Sequence, residues 1–247
     1  MSLSCNTVVT LFPLSSIPMK KILLLALIST MAVSAAGQEG NETDGQFWNE
    51  TKLYLPSFEV TEDDGSKRKV ATPFIMGTIR IGQNFRHFVS ERIGFGVDIP
   101  INKNWKFTPS YYYIAEQPVR NSRSFEHRLR FEVTGEKKWK NLSISDRNRI
   151  EYRIRHNRGD SVRYRNKFKV KIPVRHNDNE LFSVFVADEP FYDFRAKEFS
   201  RNEFSAGVEK KFTPKASAEF FYMLQSNTGS RLKSVNIAGI NLKFTID

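Results

Sequence analysis

Charged residues recur at every second position through the middle of the chain. Arg147, Arg149, Glu151, Arg153 and Arg155 alternate with Asn148, Ile150, Tyr152 and Ile154, and Arg163, Arg165, Lys167, Lys169 and Lys171 alternate with Tyr164, Asn166, Phe168 and Val170. Glu126, Arg128, Arg130 and Glu132 precede them, set against Phe125, His127, Leu129 and Phe131, while Glu189, Arg201, Glu203, Glu209 and Glu219 follow. An arginine fork bridges two carboxylates at once, so a ladder of this composition can brace a protein internally. From Glu126 to Glu219 this face carries twelve cations against seven acids, and such an excess suits an anion-preferring passage or a pocket for an acidic ligand.

Other chemistry is thinly represented. His87, His127, His156 and His176 have no metal-ligand spacing, and neither a Gly-x-Ser-x-Gly elbow nor a phosphate-cradling loop occurs. Cys5 is the only cysteine, which excludes disulfides, cysteine-rich zinc sites and a cysteine nucleophile. The sequence therefore assigns no catalytic residue, no metal and no cofactor. His127 has the parity of a lipid-facing rim histidine, such as an outer-membrane lipid hydrolase would use, but no serine of that parity stands beside it. Hydrolysis of phospholipid or lipid A is the alternative reading; a soluble periplasmic barrel binding a ligand is another.

Strict alternation demands strands, because helical apolar positions recur every three to four residues. The pattern is clean over Leu142–Ile154, Val162–Val174, Phe125–Val133, Phe204–Val208, Ala218–Leu224 and Ile240–Phe244. It is noisier over Phe47–Leu55, Phe74–Gln83, His87–Ile99, Trp105–Gln117 and Glu180–Glu189. Eleven candidate strands result, with no convincing helix. Short turns are expected at Asn102–Asn104, Gly135–Lys138, Asn177–Asn179 and Thr213-Pro214, and longer connections at Pro118–Ser122, Asn157–Asp160, Phe191–Glu198 and Ser226–Ser230. Such short-long alternation belongs to an up-and-down barrel in an outer membrane.

Lys20-Lys21, the apolar stretch Ile22–Ile28 and the small residues Ser34-Ala35-Ala36 have the order of a secretory signal peptide. Residues 1–36 are expected to be an upstream extension plus this cleaved signal, 37–45 a short linker, and 46–247 the barrel. No apolar run approaches the roughly 18–20 residues of a membrane-spanning helix. Net charge is +11, but export argues against a nucleic-acid partner.

A soluble barrel hides its apolar face; a membrane barrel turns it to lipid and keeps charge within. Export, strand length and aromatic residues near strand ends favour the second, located in the outer membrane, in contact with its lipid and lipopolysaccharide. An all-β, antiparallel up-and-down transmembrane barrel is expected, monomeric, delivered by the barrel-assembly machinery, structural or weakly pore-forming. Even strand numbers are the rule for single-chain bacterial barrels, so twelve strands are expected, with a twelfth between Phe58 and Ala71, or alternatively ten.

Several short motifs follow one another along the chain: Trp48-Asn49-Glu50, Glu126-His127-Arg128, Arg147-Asn148-Arg149-Ile150-Glu151-Tyr152-Arg153, Arg163-Tyr164-Arg165, Ala187-Asp188-Glu189-Pro190 and Arg201-Asn202-Glu203. In these the chain resembles a family of Gram-negative outer-membrane β-barrels of unknown function, over about Gln46 to Asp247. The resemblance implies an outer-membrane barrel and brings no activity, substrate or cofactor.

Overall fold

The computed structural model describes residues 42–246 apart from 120, 121, 157, 178 and 231; the expected signal peptide lies outside the described residues. Twelve strands follow in order: β1 (Thr43–Tyr54), β2 (Phe58–Thr61), β3 (Lys67–Gly82), β4 (His87–Pro100), β5 (Trp105–Val119), β6 (Ser122–Lys138), β7 (Ser143–Arg155), β8 (Ser161–His176), β9 (Asn179–Asp193), β10 (Glu198–Thr213), β11 (Ala216–Asn227) and β12 (Ser234–Thr245). β1 begins within the expected linker. From β3 to β12 each strand pairs antiparallel with the next, and β1 closes the ring against β3 and β12. The fold is thus a closed up-and-down barrel. The strand between Phe58 and Ala71 is present as β2, but it pairs only with the start of β3 and is exposed throughout.

Eleven strands therefore form the wall. Because direction alternates from one stave to the next, an odd ring brings one pair together running the same way. That pair is β1 and β12, parallel in unbroken register from Thr43 opposite Ser234 to Tyr54 opposite Thr245. No stave is left with a free edge, as closure requires.

Apart from the 55–66 segment that carries β2 between β1 and β3, connections between staves are short at both ends, two to six residues long. One end carries 101–104, 139–142, 177–178 and 214–215; the other carries 83–86, 120–121, 156–160, 194–197 and 228–233. The segment Gly135–Lys138, expected to turn, instead continues β6, and Phe191–Asp193, expected to be loop, belongs to β9. Ladder pairing needs backbone groups and not apolar side chains, so polar strand ends run on past the apolar span. Gly135 also leaves room for the Trp105 ring, 2.9 Å from where a Cβ would stand.

The faces are those of a membrane barrel. Ile75, Ile79, Ile93, Phe95, Leu129, Phe131, Ile150, Phe168, Val186 and Phe220 are exposed on the outside, whereas Glu126, Arg128, Arg149, Glu151, Arg163, Glu189 and Glu203 are buried inside. Exposed aromatic rings mark both ends, with Trp105, Trp139 and Phe212 at one and Phe85, Phe194 and Phe199 at the other.

Two departures qualify the alternation. Over β1, β3–β5, β11 and β12 apolar side chains share the interior with polar ones, Phe74, Met76, Tyr112 and Ile114 packing as one cluster and Trp48, Met223, Val235 and Ile237 as another. The second departure lies on the outer face of β7 and β8, where Asn148 and Asn166 donate to the Asp146 carboxylate at 2.7 and 2.6 Å, Asn166 also reaches Asn148 at 3.1 Å, and Tyr164 donates to Asn148. Internal pairing is what makes a polar cluster tolerable in an apolar belt. Asn166→Val is accordingly expected to cost about 1–2 kcal/mol in equilibrium urea unfolding, since it strips Asp146 of one donor.

Candidate functional site

The charged half of the interior is built by β6 to β8, whose inward parity carries Arg, Lys and Glu at most successive positions, with Glu189 from β9 and Arg201, Glu203 and Glu209 from β10. Register sets two of the pairs directly, Glu132 opposite Arg149 and Glu151 opposite Arg163, and most of the others run diagonally, along one strand or across the bore. Glu151 is the hub. Its carboxylate is fully buried, with Arg163 at 2.6 Å, Arg165 at 3.2 Å, and Arg128 and Arg149 each at 3.6 Å.

Four further carboxylates tie this hub to its surroundings. Glu126 accepts from Arg128 at 2.6 Å and from both arms of Arg153 at 2.9 and 2.8 Å. Glu132 accepts a fork from Arg149 at 2.8 and 2.6 Å, with Arg130 and Arg147 at 3.7 and 3.8 Å. Glu189 takes Arg147 at 2.5 Å, Arg165 at 2.7 Å and Lys167 at 3.7 Å, and Glu203 lies 3.7 Å from Arg165 and 3.6 Å from Arg201. Nearer one mouth, Lys169 bonds Glu219 and lies 3.7 Å from Glu209, which Lys171 approaches at 3.4 Å. One residue of the expected ladder stands apart: Arg155 faces Glu126 in register but donates to the Gly159 carbonyl, while the diagonal neighbour Arg153 takes the carboxylate.

Sequence reasoning missed the other half of the site. Arg80 stacks 3.3 Å from the Trp48 ring centre and Arg130 4.2 Å from that of Tyr112, while Lys52 lies 3.5 Å over Phe74. Asp98 gathers Lys106 at 2.9 Å, Thr108 at 2.7 Å, Tyr54 at 3.2 Å and Lys52 at 3.9 Å. Apart from Arg130 on β6, which the ladder already included, these residues sit on strands whose two faces are both partly apolar. The usable signal was parity alone: Trp48, Arg80, Arg92 and Asp98 occupy inward positions of their strands.

Among the described residues these groups line spaces at three levels of the interior. At mid-height a cavity of about 140 Å³ is lined by all eleven staves, among them Glu50 of β1, Thr78 of β3, Arg92 of β4, Tyr112 of β5, Arg147 of β7, Glu189 of β9 and Asn241 of β12. A lysine-rich mouth of about 400 Å³ opens at the end of the 139–142 turn, lined by Lys52, Lys106, Lys138, Lys167, Lys169, Lys171, Lys211 and Lys243 with three arginines. The opposite mouth, about 490 Å³, has Arg80, Arg92, Arg128, Arg153, Arg155, Arg158, Arg163, Arg165 and Arg201 against Glu116, Asp193 and Glu203, with no lysine.

His127 lies outside the barrel, as its parity implies, in a shallow space lined by Tyr113, Phe125, Ile154, Arg155 and His156. Its Nδ1 is 2.6 Å from the Tyr111 hydroxyl, and no serine or carboxylate lines that space. Among the described residues no group of His, Cys, Asp and Glu is placed to hold a metal ion.

Residues 74–235 match the model of a family described as "Protein of unknown function (DUF2490)". The chain belongs to this family. The matched span runs from β3 to β12 and includes every ion-paired residue from Glu126 to Glu219. A comparison with curated proteins finds no match. Among solved structures, a NanC porin is 11% identical over 82% of this chain and 98% of its own, with a TM-score of 0.48. LpxR from Salmonella typhimurium is 10% identical over 77% and 87%, with a TM-score of 0.43. An anion-selective porin from Comamonas acidovorans is 10% identical over 72% of this chain and 57% of its own, with a TM-score of 0.36. These are distant similarities of fold, and the family itself carries no assigned activity.

Proposed function

We propose that this family member is a monomeric outer-membrane barrel, exported by the signal-like segment before Ala36, whose interior is closed or nearly closed at mid-height by its own ion-pair network. The observation that carries the reading is the 140 Å³ waist between two larger mouths, touched by every stave. A space of that size holds a cluster of waters and excludes larger solutes. Each guanidinium at the waist that is tied to a carboxylate stays there at low cost, because leaving would strand a charge inside the wall. The apolar outer belt supports placement in lipid, and assembly machinery and lipopolysaccharide are the contacts such a placement entails.

What leaks through should be anionic. Both mouths carry more cations than acids, so a conducting path favours anions. In planar bilayers the refolded protein is expected to show little or no steady conductance. Arg165→Ala combined with Glu189→Ala removes one ion pair from the waist without changing net charge, and should raise conductance severalfold with an anion-selective reversal potential. A large steady conductance from the unsubstituted protein, unchanged by that pair, would rule out the closed waist.

A further inference from the structure

In the arginine mouth two guanidiniums carried by β3 and β4 stand outside the network. Arg80 faces Trp48 and Ser90 across its neighbours, and Arg92 faces Thr78 and Ile114, so no register partner of either is a carboxylate. Among the described residues neither has a carboxylate within ion-pair distance, and the Nε of each is buried without a hydrogen-bond partner. Ser90, 5% exposed, has an unpartnered hydroxyl in the same space. A fourth orphan there, Oε1 of the 5% exposed Gln225, is an acceptor suited to a hydroxyl or water. Half of the unpartnered buried side-chain atoms among the described residues thus line one cavity.

Leaving buried donors unpaired is costly, and a cluster of them calls for an acceptor. Glu116, opposite Ser90, offers one carboxylate against two guanidiniums. The Arg80 plane is also held in place. Asp44 accepts from the backbone N–H of Asn84 at 2.9 Å and from Gln46 at 2.7 Å, Gln46 accepts from the Trp48 indole at 2.7 Å, and that ring carries Arg80. A guanidinium stacked on a fixed ring keeps its N–H edge free for bidentate contact with an oxyanion.

We infer that Arg80, Arg92 and Ser90 form a binding site in the arginine mouth for a small oxyanion, a phosphate or carboxylate group, free or carried by a lipid headgroup. Arg80 and Arg92 also border the waist, but the site is read by binding and not by conductance, so it stands or falls separately from the conductance reading.

The test is isothermal titration of inorganic phosphate into the refolded protein in nonionic micelles at low ionic strength, with folding checked by heat-modifiable migration. Saturable binding is expected, weakened at least about tenfold in R80Q/R92Q and hardly changed in K211Q/K243Q, which removes equal charge from the lysine mouth. If R80Q/R92Q does not fold, R80K/R92K retains the charge without the fork and should still weaken binding severalfold. No binding to the wild type, undiminished binding to the arginine variants, or equal loss in the lysine variant each overturns the site. Adding lipid A to the micelles separates the sources: competition with phosphate assigns the site to a headgroup, and its absence assigns it to a solute from water.

Discussion

Glu151→Gln is expected to lower the free energy of unfolding by about 3–5 kcal/mol, read from urea titrations followed by tryptophan fluorescence. The size follows from what the substitution leaves behind. Glu151 is fully buried and four guanidiniums lie within 3.6 Å, two of them bonded more closely. A glutamine has the same shape but no charge, and its amide nitrogen adds a donor to a place crowded with donors. The comparison residue is Glu209, partly open to the lysine mouth and 3.4 to 3.7 Å from Lys171 and Lys169. Water can take over there, so Glu209→Gln should cost no more than about 1 kcal/mol. Equal losses at both positions would mean that Glu151 is no hub.

One residue earlier the chain points the other way, and Ile150→Arg should cost about 2–4 kcal/mol when refolding is measured into lipid bilayers. Ile150 is 48% exposed, opposite Phe131 and Tyr164 on the neighbouring staves. In the hydrocarbon region an arginine there has only the long route to the interface. Ile101, more exposed but in the 101–104 connection, gives the control, and Ile101→Arg should cost about 0–1 kcal/mol. If both substitutions cost the same, the exposed belt does not face lipid.

Legibility in the sequence followed contrast between faces. β6 to β8 were plain because apolar and charged residues never share a parity for long, and their shared inward parity then gathers the ion-pairing side chains. The early strands were noisy for a physical reason: Phe74, Met76, Tyr112 and Ile114 fill the interior while Ile75, Phe95 and Tyr113 face outward. Gly94 and Gly96 deepen the ambiguity, since they leave inward gaps for the Tyr112 and Phe74 rings, 2.9 and 2.6 Å from where Cβ atoms would be. Arg80 and Arg92 went unremarked because they lie in those strands. Asp146 and Asn166 broke the apolar parity of β7 and β8 for a reason invisible in one dimension, a hydrogen-bonded cluster spanning two staves. Stave number was legible as the raw count of eleven; evenness is a habit of barrels and not a demand of closure.

The parallel seam has a topological consequence. β1 and β12 start at the same rim, so the chain enters the wall at Thr43 on one side and leaves it at Thr245 on the other. A reporter fused ahead of Thr43 and one fused after Thr245 would report from opposite compartments, whereas an even barrel places both in the same one. Circular permutation, easy in principle when the ends are neighbours, is barred. A linker joining them would have to travel roughly 35 Å along the strands, through a bore already filled by arginine and glutamate. This barrel can be cut open at a loop, but its original ends cannot be sewn together.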